Sequence, residues 1–500
     1  MRRRNPSLPF AAIALNLAIA TTAFAADGYY DTWPPPSGNG RLRLQPYVGV
    51  NVVTGMAIGA DGHIVLVETH ADTSADVSVN GVVCVIRLAA DGSYDYGFGP
   101  AHNGRVCLSD FPSIPSAVSI SGHAVAVQPD GKIVLAAQLY ENVAASHVSA
   151  LLLRLNVDGT LDASAAGGAG FRNFQFSSAA GVYLSAPNAI ALQQDGKIVV
   201  AGIGCSDTAA TCNQDFAVAR FSNALQFDGA FGTGGTKLVN FDLGGSNADD
   251  AFAVRIDSAG RIVLIGTATQ ANGSTGAAVV RLNGDGALDT TFGGQGRFTS
   301  IIDGNIKVVT NGAVDARDRI LIAGGDNQGS PFDGFLIARV LADGSGLDTT
   351  FGGPSNGYAG APAGAAIVGF ASAISPIAID DSDAYDVSVQ SDGRILVAGD
   401  IDALDGSTVV QYFGIARLLP DNGAIDTTFG ASGRGVGVFG AISDTASARA
   451  IAFAPGNRLT VAGVGADSID APTRDAGIAR LTNDLIYFSA FEPPVNTSNH

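Results

Sequence analysis

The sequence predicts an all-β fold: a seven-bladed β-propeller of four-stranded antiparallel blades, the last blade closed by the N-terminal strand. Three observations lead there. A unit of two apolar strands around an Asp-Gly turn recurs along the whole chain. An arginine ends the third strand of every copy. The N-terminal segment also matches the piece that the last copy lacks.

The clearest copy runs from Asn188 to Phe241. "AIALQQDGKIVVAG" reads as two strands around a turn in which glycine accepts positive φ at no steric cost. "FAVARF" is a third strand, and "TKLVNF" alternates like a half-exposed fourth. The second strand recurs from Ile64, Ile133, Ile198, Ile262, Ile320, Ile395 and Leu459. The arginines are Arg87, Arg154, Arg220, Arg281, Arg339, Arg417 and Arg480, 58 to 78 residues apart. That period suits propeller blades with long loops and exceeds the units of most solenoids.

A second marker follows each arginine, in its cleanest form "LDTTFG". Its aspartates are Asp95, Asp162, Asp228, Asp289, Asp348 and Asp426, eight or nine residues after the arginine. The fixed spacing predicts a structural ion pair across the turn from strand three to strand four, where a planar guanidinium suits a fixed carboxylate. A ring of catalytic carboxylates is the weaker reading, because a feature of every blade answers to what every blade needs. The seventh copy stops at "DAGIARLTNDLIYFSAFEPP", without a clean fourth strand. "DGYYDTW" (27–33) matches "DGALDTTF" (285–292), and "GNGRLRLQ" matches a fourth strand. Asp31 is then the seventh aspartate and Arg480 its partner. A closed ring is expected, since an open solenoid would want polar caps.

The "QxDGKIVVAG … FAVARL … LDTTFG" signature resembles the delta-60 repeat family of bacterial exported and surface proteins. The resemblance spans nearly the whole chain after residue 25 and is best around Ile198, Ile262 and Ile395. It implies a β-propeller-like fold and a surface or extracellular setting, and no defined activity. Repeat two departs from the signature, with "LDASAAGGAG" in place of "LDTTFGxxG".

Residues 1–25 read as a cleaved signal peptide: Arg2, Arg3 and Arg4, an apolar run from Leu8, then Ala23-Phe24-Ala25. Residues 26–492 are expected to form one propeller domain, with segment 26–48 completing the last blade, and 493–500 a short flexible tail. A secreted location follows, in periplasm, cell surface or medium. Four cysteines in an exported chain predict two disulfides, in the local pairing Cys84–Cys107 and Cys205–Cys212. The spacing is wrong for a metal site and no histidine accompanies them. The net charge of −18 argues against nucleic acid. No stretch after the signal is apolar for long enough to span a membrane.

Two kinds of connection vary in length, from strand two to three and from strand four to the next blade. Both emerge on one face, where binding is expected. Aspartates crowd these segments: Asp207, Asp215, Asp249, Asp250, Asp326, Asp333, Asp444, Asp467, Asp470 and Asp475. The weak candidates for Ca²⁺ ligands are Asp380, Asp381, Asp383, Asp400, Asp402 and Asp405. No loop carries a D-x-D-x-D-G ladder, and the plainer reading is solvated loop residues. None of the six histidines sits in a ligand pattern, and neither a P-loop nor a G-x-S-x-G elbow appears in context. Asp386 and Arg255 are the exceptions on otherwise bland innermost strands. The leading expectation is a monomeric, non-enzymatic module, without a cofactor, that presents an acidic loop face to a protein or glycan. The alternatives are a propeller lyase or hydrolase acting on an extracellular polymer, and a calcium-stabilised adhesive protein.

Overall fold

A computed structural model describes residues 41–44, 50–71, 81–110, 119–142, 147–177, 184–205, 212–244, 246, 248–300, 306–326, 334–353, 362–370, 378–405, 408–430, 432–439, 445–456, 458–466 and 475–481. The expected signal peptide, Asp31 and the C-terminal tail lie outside the described residues.

The chain enters with β1 (Arg41–Leu44). A first meander follows in β2 (Val50–Ile58), β3 (Ile64–Ala71), β4 (Val82–Leu88) and β5 (Arg105–Cys107). The second is β6 (Ser119–Val127), β7 (Ile133–Asn142), β8 (His147–Leu155) and β9 (Phe171–Phe174). The third is β10 (Ser185–Leu192), β11 (Ile198–Cys205), β12 (Gln214–Phe221) and β13 (Thr236–Val239). The fourth is β14 (Asp249–Ile256), β15 (Ile262–Thr269), β16 (Thr275–Leu282) and β17 (Arg297–Ser300). The fifth is β18 (Ile306–Val314), β19 (Ile320–Asp326), β20 (Phe335–Val340) and β21 (Ala365–Val368). The sixth is β22 (Ala378–Val389), β23 (Ile395–Asp405), β24 (Thr408–Leu418) and β25 (Arg434–Gly437). The last is β26 (Thr445–Ala454), β27 (Arg458–Ala466) and β28 (Asp475–Leu481), and β1 pairs antiparallel with β28, Arg41 opposite Ala479.

The architecture is all-β and propeller-like, with four-stranded antiparallel blades. Five blades are separate sheets. The fifth and sixth meanders instead run into one eight-stranded sheet, where separate blades were expected. The join is a single pair, Gly325 of β19 opposite Asp383 of β22. β22 is the longest strand, at 12 residues, and its early part reaches its neighbour. Gly325 permits the approach, because a Cβ there would overlap the Asp383 carboxylate.

The middle strands bury both faces, so they read as continuous apolar runs rather than alternating ones. Each apolar cluster spans two meanders. Val65, Val67 and Val85 pack with Leu135, Leu151 and Leu153. Across the chain ends, Val53, Leu66 and Ile86 pack with Ala462, Ala476 and Ile478. The first strands of the meanders touch one another in sequence, and β2 also touches β26.

The repeat arginines tie each meander to the next. Arg281 bonds Asp289 (2.7 Å), lies 4.6 Å over the Phe292 ring, and donates to the Ala342 carbonyl of the next meander (2.5 Å). The other pairs are Arg87–Asp95 (2.6 Å), Arg154–Asp162 (2.7 Å), Arg220–Asp228 (2.9 Å), Arg339–Asp348 (2.9 Å) and Arg417–Asp426 (2.8 Å). Arg480 donates to the Ala90 carbonyl (2.8 Å), the same kind of contact carried across the chain ends. A second basic side chain reaches each aspartate from the start of strand two. Lys132 lies 2.9 Å from Asp162, Arg394 3.0 Å from Asp426, and His63 3.5 Å from Asp95. Burial works against the charge on Asp289, Asp348 and Asp426, but hydrogen bonds from Thr291, Thr350, Thr428 and the arginines hold all three below the usual carboxylate range.

Repeat two reaches the same contact with different residues. The amides of Gly99, Gly232, Gly293 and Gly352 each donate to a carbonyl of the next meander at 2.8 Å. In repeat two Ala166 does so, also at 2.8 Å, at a left-handed φ of 51°. Its Ala165 replaces the stacking phenylalanine, and Phe174 packs edge-on against Phe176 and Phe221 in the adjoining core.

Both disulfides form in the local pairing. Cys84–Cys107 links partners directly opposite on β4 and β5, and Cys205–Cys212 closes the connection between β11 and β12.

Candidate functional site

The first strands of the meanders surround a central cavity of about 490 Å³. Each of these seven strands carries a β-bulge at the same place, and the extra residue falls at Thr54, His123, Asn188, Phe252, Thr310, Tyr385 or Arg449. All seven line the cavity. A bulge inserts one residue outside the hydrogen-bond ladder and re-aims its side chain. It also pushes the neighbouring carbonyl toward strand two, where the repeat places glycine. A Cβ on Gly202, Gly266, Gly399 or Gly463 would overlap the carbonyl oxygen of Ala186, Asp250, Asp383 or Ser447. The final glycine of "KIVVAG" is therefore a consequence of the bulge.

Around this ring the positions after the bulge are mostly small. The next residue is Gly55, Ala124, Ala189, Ala253 or Ala450, but Asn311 and Asp386 in the fifth and sixth meanders. Two further on stands alanine in five strands, with Arg255 and Ser388 as exceptions. Three of these exceptions bond to each other. Arg255 Nη2 donates to Asn311 Oδ1, and Asn311 Nδ2 donates to Asp386 Oδ1, both at 2.8 Å. Asp386 also accepts from the backbone amides of Val387 and Ile451, each at 2.8 Å. Burial pushes the Asp386 carboxyl up to about 6, against these amides and Arg255. Burial likewise lowers Arg255, with Asp386 opposing.

Arg449 lies 3.8 Å over the Tyr385 ring, and its Nε is buried with no acceptor among the described residues. Burial raises the Tyr385 hydroxyl to about 12 despite this arginine. His123 is driven down to about 4 by burial, against a 3.1 Å hydrogen bond with Gln138, and is neutral at pH 7.

The sequence singled out Asp386 and Arg255, and the structure links them through Asn311. The bulge ring itself was missed, although its residues immediately precede the "AIAL" and "AIAF" runs of the repeat.

Of the aspartates placed on loops, Asp207, Asp333, Asp444, Asp467 and Asp470 lie outside the described residues, and others fall on strands. Asp381, Asp383, Asp400 and Asp402 lie on β22 and β23, which extend as a hairpin beyond the other meanders. Asp381 stands opposite Asp402, and Asp383 opposite Asp400. Gln411 donates to Asp400 (3.2 Å) and Asp402 (2.9 Å), and Ser447 to Asp400 (3.0 Å). Burial raises Asp400 to about 6, with Arg449 opposing and Asp402 assisting. The side chains of Asp380 and Asp405 lie outside the described set. Among the described residues no group of three or more His, Cys, Asp or Glu side chains is placed to hold a metal ion. Asp215, Asp249 and Asp475 are buried at strand starts rather than solvated. Asp249 accepts from the Phe241 amide at 2.8 Å. Burial raises it to about 6, against that bond.

Both ends of the strands are acidic, with 18 aspartates in the connections between strands one and two and strands three and four, and they differ in their cations. The segments joining strand two to three, and strand four to the next meander, carry ten aspartates and one cation, Arg474. The opposite end holds Lys132, Lys197, Arg261, Arg319 and Arg394, each beside a carboxylate.

Residues 128–164, 260–292 and 390–429 match the profile of a β-propeller domain of unknown function, DUF5122. Each stretch covers strand two, the arginine and the aspartate of one meander, and the protein is a β-propeller repeat protein. No curated protein matches the sequence. Among solved structures, one similar chain is a protein of unknown function from Dyadobacter fermentans, with 12% identity, a TM-score of 0.41, and 76% of this chain and 98% of that one covered. A Trypanosoma rangeli sialidase in complex with sialic acid aligns at 11% identity and a TM-score of 0.40, over 92% of this chain and 58% of its own. The polysaccharide lyase Uly1 aligns at 11% and 0.38, over 73% and 90%. Likenesses of this degree carry no argument about activity. Among the described residues no helix is long and apolar enough to cross a membrane.

Proposed function

We propose that the chain is an exported, monomeric binding module related to the delta-60 repeat proteins, its seven meanders closed into one ring. It presents its acidic loop face to a protein or glycan partner. The observation that carries this reading is the near absence of cations from the variable connections. The cations at one end are neutralised by the repeat aspartates, while the variable connections at the other carry ten aspartates against Arg474. Such a field speeds encounter with a basic partner and suppresses acidic ones.

The test uses residues 26–500, immobilised, against a glycan array and extracellular protein fractions. Capture is expected to weaken steeply between 50 and 300 mM salt, and to be lost when Asp207, Asp333, Asp444 and Asp470 are all changed to Asn. No partner at micromolar concentration, or equal capture by the quadruple variant, would overturn it.

An enzymatic reading would rest on Asp386, the carboxylate lining the cavity. Its oxygens already accept three hydrogen bonds from the protein itself, from Asn311, Val387 and Ile451. A lyase or hydrolase activity abolished by Asp386→Asn in a folded variant would restore that reading.

A further inference from the structure

We propose that the ring of bulge residues in the central cavity is a binding site for one small carboxylate, about the size of a single sugar ring. The proposal is independent of the loop-face reading and rests on different residues.

The first argument is positional. Where every meander needs the same thing, the chain keeps the same residue: the arginine and its aspartate, and in five meanders the glycine facing the bulge. The bulge is also repeated seven times, at equivalent places, yet it carries six different residue types. Packing does not explain this, since the bulged residue stands outside the ladder and faces the cavity. A repeated device that presents dissimilar side chains to one small volume is how a symmetric scaffold becomes an asymmetric site. Bulges are enriched beside functional sites for that reason.

The second argument is electrostatic. The titratable groups lining the cavity are His123, Arg255, Tyr385, Asp386 and Arg449. At neutral pH His123 and Tyr385 carry no charge, so the cavity lining itself holds two guanidinium groups and one carboxylate, with Asp400 outside the lining acting on Arg449. That carboxylate is already held by Asn311 and two backbone amides. Arg449 keeps a buried Nε with no acceptor, a cost of desolvation that an incoming oxygen would relieve. The planar fork of arginine matches a carboxylate better than any other common anion of this size.

The third argument is size and surface. About 490 Å³ lies within the range of small-molecule sites. Phe252 offers an apolar face, while Asn188 and Thr310 on the two neighbouring strands offer polar ones. A ring with one apolar face and one carboxylate fits this lining.

The experiment is saturation-transfer NMR with calorimetry on residues 26–500, using D-glucuronate, L-lactate and D-glucose as probes. Glucuronate is expected to bind saturably and more tightly than glucose, which differs from it only at the carboxylate. Arg449→Gln should weaken it at least tenfold, and Arg449→Lys should restore part of the loss. Phe252→Ala should reduce saturation of the sugar ring protons. Lactate binding with the same dependence on Arg449 would support a site for carboxylates in general, and glucuronate binding alone a site for a sugar acid. Equal affinity for glucose and glucuronate, no saturable binding of either carboxylate, or an Arg449→Gln variant of unchanged affinity and native circular dichroism would overturn the proposal. The loop-face quadruple variant should bind the probes as the unaltered chain does, so the two readings fail separately.

Discussion

Replacing Glu68 by glutamine is expected to stabilise the protein above neutral pH and leave it almost unchanged in acid. Glu68 stands on β3 opposite Val53, just before the Thr54 bulge. That is where the third, fourth, sixth and seventh meanders place Gly202, Gly266, Gly399 and Gly463 against the bulge. The side chain is fully buried, and neither carboxylate oxygen has a hydrogen-bond partner among the described residues. Desolvation therefore raises it to about 7; Arg105 pulls it down and Asp475 pushes it further up. Tyr94 faces the same group, and its own hydroxyl is raised by burial and by Glu68.

The sign follows from proton binding. With a folded value near 7 against the ordinary 4.5 of a free glutamate, the native state holds the extra proton between those limits. The contribution to stability is fully present below pH 4.5 and is lost as the pH rises through 7. A shift of about 2.5 units corresponds to about 3 kcal/mol, reached above pH 8. Glutamine mimics the protonated acid at every pH, so the gain should be near zero at pH 4 and about 3 kcal/mol at pH 8.5. Urea unfolding of both proteins at four pH values measures it. Asp249, Asp386 and Asp400 are also raised, but they occur in both proteins and cancel in the difference. A difference that stays flat with pH, or is greatest in acid, would refute the reasoning, and would mean that Arg105 pairs with Glu68.

Three further predictions can be checked by the same unfolding assay. Arg281→Ala should cost about 3–5 kcal/mol, because it strands the buried Asp289 with Arg261 alone at 3.2 Å, whereas Arg317→Ala, whose pair with Asp421 is mostly exposed, should change stability by no more than about 0.5 kcal/mol. Gly202→Ala should cost up to about 3 kcal/mol by driving a methyl group into the Ala186 carbonyl, while Ala166→Gly should gain up to about 1 kcal/mol by relieving its left-handed φ. Replacing the Cys84–Cys107 bond, 23 residues apart, by serines should cost about 3 kcal/mol, and replacing Cys205–Cys212, seven apart, somewhat less; a larger loss at the shorter loop would argue against a chain-entropy origin.

The scaffold was legible because its determinants are local and repeated. An Asp-Gly turn, an arginine eight or nine residues before an aspartate, and two near pairs of cysteines each announce one contact. The site was not legible, because a bulge shifts the alternation by one residue without changing composition. "SAPNAIAL" gives no sign that Asn188 leaves the ladder while Ala189 stays in it. Nor could apolar content separate the fifth and sixth meanders from their shared sheet, which depends on one glycine at the end of β19. The aspartates of β22 and β23 were read as loop residues because alternation with Ile379, Ile401 and Ala403 is too short a pattern to outweigh so many charges. The contact in repeat two could not be read either. Nothing in "LDASAAGGAG" says that alanine will hold the conformation that glycine holds elsewhere.

The bulge has a consequence for how such a chain can change. A residue outside the ladder can be exchanged without disturbing register or the core between meanders, and the facing glycine already leaves room for its displaced carbonyl. Seven such positions around one axis form a set of interchangeable contacts whose number of combinations far exceeds what any single loop could sample. Recognition can then drift while the barrel of strands stays as it is. Duplication of one meander followed by substitution at a single position would be enough to begin a new specificity. The same property makes Thr54, His123 and Asn188 natural sites for a designed library, each free to vary while the repeat arginines hold the ring together.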